Sequence, residues 1–203
     1  MRSSSLVKQL VGLSLLVLCL MAGGCVRTDH PILKDEQVKA NDALVGKWVS
    51  DDGKVRGEVK AGENNQYKLS YTNEEGKTGN FIVRFGKIGE LNVAEVRADV
   101  FPTGTNDEGT SLVMPLYTMF VIDETPPKVT LTAIDVDWFK KYTQANPQEL
   151  NVTGMGPDYS IVNASTEEFQ AFFLKHFKDK DMLSEPKTFV RPGDPTTRPA
   201  PGK

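Results

Sequence analysis

Apolar and polar residues alternate most clearly at positions 66–85, QYKLSYTNEEGKTGNFIVRF. The first half places two tyrosines and a leucine on one face of an extended strand, because successive side chains of a strand point to opposite sides. The second half repeats this pattern with two phenylalanines and a valine, after the turn-forming letters NEEG at 73–76. The segment therefore predicts two antiparallel strands joined by a turn. Its apolar positions are Tyr67, Leu69, Tyr71, Phe81, Val83 and Phe85.

Similar short runs lie on both sides of this hairpin, separated by Gly, Pro, Asn and Asp. The predicted strands are 44–50, 54–60, 66–73, 81–85, 90–98, 112–122 and 129–134, and residues 159–164 are a candidate eighth strand. Seven or eight strands in sequence predict a mainly β fold, an antiparallel meander. Such a meander removes its exposed edges by curling into a barrel.

Two short helices are predicted near the C-terminal end of the domain. Asp135 or Asp137 can cap the first, which ends before Pro147. The second begins with the capping box of Ser165 and Glu168. Its apolar stripe either faces the core of the domain or docks in a partner's groove. The stripe consists of Phe169, Phe172, Phe173 and Phe177.

The N-terminus has the composition of an export signal. Residues 1–24 carry Arg2 and Lys8, then an apolar run at 10–22 that is shorter than the roughly 20 residues that a membrane-spanning helix needs. The small residues that follow lead into Cys25, and this sequence resembles the lipobox of bacterial lipoproteins. Ala22 departs from the leucine that the family usually has three positions before the cysteine. An ordinary cleaved signal and an uncleaved membrane anchor are the alternatives.

The lipoprotein resemblance implies a location and a chain organisation. Cys25 would carry fatty acids such as palmitate and hold the protein in the cell envelope through the membrane. Val26 after the cysteine implies the outer membrane, facing the periplasm, rather than the inner membrane. Polar residues 25–43 are then predicted to form a flexible tether and 44–177 the β domain. Residues 178–203 are rich in proline and are predicted to be disordered, so trimming 184–203 should leave the melting temperature nearly unchanged.

A second resemblance lies at the start of the β domain. The letters LVGKWV at 44–49 resemble the G-x-W signature on the first strand of lipocalins. This resemblance implies that Trp48 closes one end of a lipocalin-like barrel and that Gly46 allows a close approach there. A plain core aromatic is the alternative for Trp48. No counterpart of the family's T-D-Y motif or of its final-strand arginine is evident, and a helix interrupts the meander before the last strand.

No reaction is indicated by the side chains of the exported domain. It has no cysteine after Cys25, only two histidines and none of the common metal, cofactor or nucleophile motifs. The formal net charge is −3 and becomes about −5 without Arg2 and Lys8, which argues against nucleic acid as a partner. A catalytic pair of carboxylates is still possible, although helix capping and solvation explain the candidate residues better. They are Asp135 and Asp137 near the first helix, and Asp99, Asp107 and Glu108 in or beside the longest loop.

Three functions are consistent with these features. The first is a non-catalytic barrel that binds a small apolar or amphipathic ligand. The second is a structural or assembly lipoprotein that contacts other envelope proteins through its surface, and the third is an enzyme. The barrel interior distinguishes the first two, because a packed interior favours assembly and a cavity of about several hundred cubic ångströms favours a ligand.

Overall fold

The computed structural model describes residues 25–99 and 115–193. Within these residues, twelve strands form one continuous sheet. The strands are β1 (Cys25–Thr28), β2 (Val38–Lys39), β3 (Gly46–Ser50), β4 (Arg56–Ala61), β5 (Gln66–Thr72), β6 (Thr78–Ile88), β7 (Leu91–Ala98), β8 (Tyr117–Thr125), β9 (Lys128–Ala133), β10 (Val152–Gly156), β11 (Tyr159–Val162) and β12 (Lys187–Val190). The helices are α1 (Val136–Ala145) and α2 (Thr166–His176).

Eight of the strands close into an antiparallel barrel, which confirms the predicted fold class. β3 to β9 follow one another as a meander, and β12 pairs with both β9 and β3. In the hairpin of β5 and β6, Tyr67 lies opposite Val83, and Leu69 lies opposite Phe81. All four side chains point into the barrel core, as their alternation predicts.

The strand that completes the barrel is not the predicted one. β11 matches the candidate eighth strand at 159–164, but it pairs in parallel with β1 outside the barrel. β12 closes the barrel instead, and it lies within residues 178–203, so the prediction of disorder is wrong for its residues. Phe189 and Val190 are buried there. Two apolar residues are enough to order this short strand, because the free edges of β3 and β9 supply backbone hydrogen bonds on both of its sides. Residues 194–203 lie outside the described residues.

The predicted tether at 25–43 is also wrong. β1 lies between β8 and β11, and the side chains of Ile32 and Leu33 are fully buried. The segment has few apolar residues, but those few lie on an apolar outer face of the barrel. Local composition could not show this face, because distant strands build it.

A second core lies between this outer face and the helices. Along β7, Ala94 and Val96 point into the barrel, whereas Val93 points outward and packs with Met119 of β8. The phenylalanine stripe of α2 buries Phe169, Phe172 and Phe173 against the same core. The core-facing interpretation of this stripe is therefore confirmed. Both caps form as predicted: Asp135 caps α1, and Ser165 forms a capping box with Glu168 at α2.

Candidate functional site

The barrel encloses an apolar cavity of about 110 Å³. Its walls come from the inward-facing positions of all eight barrel strands and from Leu44, two residues before β3. The residues that line it are Leu44, Trp48, Gly57, Val59, Leu69, Tyr71, Phe81, Val83, Phe85, Ala94, Val96, Phe120, Ile122, Val129, Leu131 and Phe189. Among these side chains, only those of Tyr71 and Trp48 carry a polar atom.

Trp48 lines the cavity and packs against Arg191. The guanidinium carbon of Arg191 lies 3.9 Å from the centroid of the Trp48 ring, a cation–π contact. Arg191 also donates hydrogen bonds to the carbonyl oxygens of Val45 (2.8 Å) and Ala43 (2.6 Å). The indole Nε1 of Trp48 donates to the carbonyl oxygen of Leu44 at 2.8 Å. The indole N–H of Trp48 and two N–H groups of Arg191 are thus hydrogen-bonded to backbone carbonyl oxygens.

The two residues that were candidates for the barrel base, Gly46 and Trp48, both lie against Arg191. Gly46 has a φ of +121°, and a Cβ there would collide with the Arg191 guanidinium. Only glycine fits this combination of backbone conformation and close approach. Arg191 directly follows the last barrel strand. The sequence did not single it out, because it lies in the segment that was predicted to be disordered.

Tyr71 is the unusual residue of the cavity wall. Its side chain is only 6% exposed, and its hydroxyl has no hydrogen-bond partner among the described residues. Burial, with smaller contributions from the carboxylates of Glu74 and Asp52, raises the pKa of this hydroxyl to about 12. The group is therefore a neutral donor at physiological pH. Other buried hydroxyls among the described residues, those of Thr118 and Ser160, also lack a partner, so this feature is not unique to the cavity wall.

The candidate carboxylates do not form an acid pair in a cleft. The Asp135 carboxylate accepts hydrogen bonds from the backbone N–H groups of Asp137 and Trp138, which is its capping role. Asp137 is exposed on α1, and Asp99 is exposed beyond the end of β7. Asp107 and Glu108 lie outside the described residues. The candidate carboxylates that the structure describes, Asp99, Asp135 and Asp137, are thus explained by capping and solvation.

A polar cluster that the sequence did not predict surrounds His176 at the end of α2. The buried ring places Nδ1 at 2.6 Å from an oxygen of Asp179 and Nε2 at 3.1 Å from an oxygen of Glu149. Glu149 also accepts hydrogen bonds from Lys175 and Tyr142, and these lower its pKa to about 2. The cluster ties the end of α2 to the loop that follows α1. Both ring nitrogens are occupied by carboxylates, so neither is available to activate a nucleophile.

Cys25 begins β1, and its backbone N–H donates to the carbonyl oxygen of Asp158 at 3.0 Å. No helix in the described part of the chain has the length and apolar character to cross a membrane. Residues 25–99 and 115–193 also contain no group of three His, Cys, Asp or Glu side chains that could hold a metal ion. The chain matches no family model, no curated protein and no solved structure.

Proposed function

We propose that this protein is a non-catalytic envelope lipoprotein whose barrel binds a small apolar or amphipathic molecule. The observation that carries the binding proposal is the apolar cavity of about 110 Å³ inside the barrel, lined in part by Trp48. Apolar cavities stay dry because a water inside them finds no polar partners. A small apolar molecule gains both dispersion contacts and release from water when it enters such a space.

The cavity volume limits the size of this molecule. Drug-sized ligands occupy pockets of about 300–1,000 Å³, whereas an engineered cavity of about 150 Å³ takes benzene or xenon. At about 110 Å³, the barrel suits a molecule near the size of a single ring rather than a lipid acyl chain. Residues around the cavity would have to move apart to admit anything larger.

A cavity-filling substitution tests the binding proposal. Ala94 is buried and lines the cavity, so Ala94→Leu should fill it, whereas Ala61→Leu adds the same bulk at an exposed position. Binding of benzene and xenon is measured by NMR chemical-shift changes. We expect binding in the native chain and in Ala61→Leu, with loss in Ala94→Leu. Equal binding in all three chains, or none in the native chain, contradicts the proposal.

The lipoprotein part of the proposal is supported by the signal-like sequence that ends at Cys25. Lipidation here would place the membrane directly at the start of β1, because the following residues are docked on the barrel. Cys25 is 2% exposed, so the proposal requires that its thiol is acylated before this segment docks on the barrel. We propose the periplasmic face of the outer membrane as the location.

Metabolic labelling with a fatty-acid probe tests the anchor. The native chain should take up the label and sediment with membranes, and Cys25→Ser should do neither because a hydroxyl cannot replace the thiolate nucleophile. Equal labelling of the two chains contradicts lipidation at Cys25. This result would leave the binding proposal untouched.

A structural or assembly role is the second candidate function. It is favoured by the cavity volume, which is smaller than that of ordinary ligand pockets. In that case the largely filled barrel is a rigid support for a surface that contacts another envelope protein. Native mass spectrometry of the protein extracted from its own membranes distinguishes ligand binding from an assembly role. A retained small molecule supports ligand binding, and a clean mass with a stoichiometric envelope protein supports assembly.

A further inference from the structure

We propose that residues 41–45 form a lid on the barrel cavity, and that small molecules enter and leave through the barrel end that this lid covers. The inference rests on the proposed binding function and adds the route by which a ligand reaches the site. It also assigns a role to Leu44, whose side chain fills the entrance while the lid is closed.

The position of Leu44 places the lid at an end of the barrel. Its side chain is 5% exposed and lines the cavity. Among the described residues that line the cavity, Leu44 alone lies outside the eight barrel strands. The wall of a closed barrel is a continuous ladder of backbone hydrogen bonds, so a side chain from outside the strands reaches the interior only through an open end. The neighbours Asp42 and Ala43 are exposed, so the lid covers this end with one buried apolar side chain.

Two side chains of the barrel strands hold the first residues of the lid. The Tyr67 hydroxyl accepts a hydrogen bond from the backbone N–H of Asn41 at 2.7 Å and donates to Asp42 Oδ1 at 3.0 Å. An oxygen of Glu124 accepts from the side-chain amide of Asn41 at 2.6 Å. Tyr67 and Glu124 are not among the residues that line the cavity. These three hydrogen bonds therefore hold the lid without contacting a ligand in the cavity.

The lid can open without breaking the sheet, because none of residues 41–45 belongs to a strand. Two backbone hydrogen bonds, at 3.2 Å and 3.1 Å, lie within the lid itself, so the turn can move as one piece. The side chains of Trp48 and Arg191 donate to three of its carbonyl oxygens. Water replaces such side-chain contacts when the lid moves outward. A passage between two strands would instead break ladder hydrogen bonds and leave their groups unpaired in an apolar wall.

The exchange of benzene tests the lid, because the opening of a lid controls the rates of entry and exit but not the affinity. NMR exchange spectroscopy measures both rates and the dissociation constant in the full-length native chain and in Tyr67→Phe. This substitution removes the hydroxyl that holds Asn41 and Asp42. We expect both rates to rise by roughly three- to tenfold, the size of one hydrogen bond, and the dissociation constant to stay unchanged.

Tyr142→Phe is the matched control for Tyr67→Phe. It removes a tyrosine hydroxyl that donates to Glu149 at 2.8 Å, in the cluster at the end of α2 and outside the barrel. Its benzene rates should equal those of the native chain, although it loses a comparable hydrogen bond. Glu124→Ala is a second variant that loosens the lid, at a half-buried position. It should speed both rates even if Tyr67→Phe does not fold.

The remaining outcomes separate this inference from the binding proposal. If benzene binds and exchanges at native rates in Tyr67→Phe and Glu124→Ala, it enters by another route, so the lid is wrong and the binding proposal stands. Equal acceleration in Tyr142→Phe means that exchange follows a general loss of stability, which also overturns the lid. A weaker affinity with an unchanged entry rate overturns it as well, because residues 41–45 would then support the bound state only. If the native chain binds no benzene, both proposals are wrong.

Discussion

Glu95 is the most strongly engaged charged residue of the described chain. It is 2% exposed on the outer face of β7, and its carboxylate receives the Arg84 guanidinium at 2.7 Å and 3.0 Å. One of its oxygens also accepts the backbone N–H groups of Ile32 (2.6 Å) and Leu33 (2.9 Å). A buried carboxylate is tolerated only when it is paired and hydrogen-bonded, and here four donors satisfy it. These hydrogen bonds hold the N-terminal segment, which contains Ile32 and Leu33, on the barrel.

Removing this carboxylate should therefore be costly. We expect Glu95→Ala to lower the free energy of unfolding by about 3–5 kcal/mol, because it removes the buried partner of the Arg84 charge and the acceptor of two buried backbone N–H groups. Asp35 provides a matched control, since its carboxyl is 98% exposed and contacts the same guanidinium at 2.9 Å. Asp35→Asn should cost less than about 1 kcal/mol. Urea denaturation measures both variants, and equal losses would contradict the assignment.

For individual residues, the sequence predicted helix caps and core positions but not the polar contacts between distant parts of the chain. Asp135, Ser165 and Glu168 were predictable because their partners lie within three residues in the chain. Glu95 accepts from the backbone of Ile32 and Leu33, and Arg191 donates to that of Ala43 and Val45. These partners are 62 to 148 positions away, so no local pattern contains them. The missing partner of Tyr71 and the volume of the cavity likewise depend on how all the walls pack together. No periodicity of a single strand reports either feature.

β12 shows why an element can be missed although its neighbours are predicted well. Strands β3 to β9 are recognisable because each alternates over several residues between turn signals. β12 has only four residues within a proline-rich stretch, and its average composition is that of a disordered tail. Its stability comes from two partners, since Phe189 lies opposite Val129 on one side and Ser50 on the other. Tertiary pairing thus overrides local composition.

The trimming experiment now has the opposite expected result. Removing residues 184–203 deletes β12, opens the barrel and takes Phe189 out of the core, so the melting temperature should fall sharply. A chain that ends at residue 193 retains β12 and isolates its contribution. Differential scanning calorimetry of the two truncated chains measures the difference. Equal melting temperatures would mean that β12 does not close the barrel in solution.

The cluster at the end of α2 makes a pH-dependent contribution. Hydrogen bonds from Lys175 and Tyr142 hold the pKa of Glu149 at about 2, below the ordinary value of 4.5. The folded state thus favours the carboxylate, so its stabilisation is complete above pH 4.5 and is lost as the pH falls toward 2. We expect the melting temperature to fall more steeply over this window in the native chain than in Glu149→Gln. Glu63→Gln, at an exposed turn, should keep the native slope, and equal slopes in all three would contradict the linkage.

The whole molecule contains two cores that share one sheet. β6, β7 and β8 present alternate residues to the barrel interior and to the second core, so both layers depend on the same strands. The N-terminal segment completes the second core with Val26, Ile32 and Leu33. The sequence predicted the barrel as a self-contained unit at 44–177. It did not predict the second core. The outward-facing residues of β6, β7 and β8 follow the same alternating pattern as those of any strand, so the sequence does not show that other segments cover them.

Amide hydrogen exchange distinguishes a docked N-terminal segment from a tether. The amides of Ile32 and Leu33 donate to the buried Glu95, so they should exchange slowly, whereas amides of a tether exchange at nearly unprotected rates. Glu95→Gln keeps the shape of the side chain but weakens its charge-assisted hydrogen bonds. It should speed exchange at these two amides and leave those of β4 and β5 unchanged, because these strands lie away from the second core. Fast exchange in the native chain would show that the segment is undocked, and uniform acceleration in the variant would show that the two cores unfold as one unit.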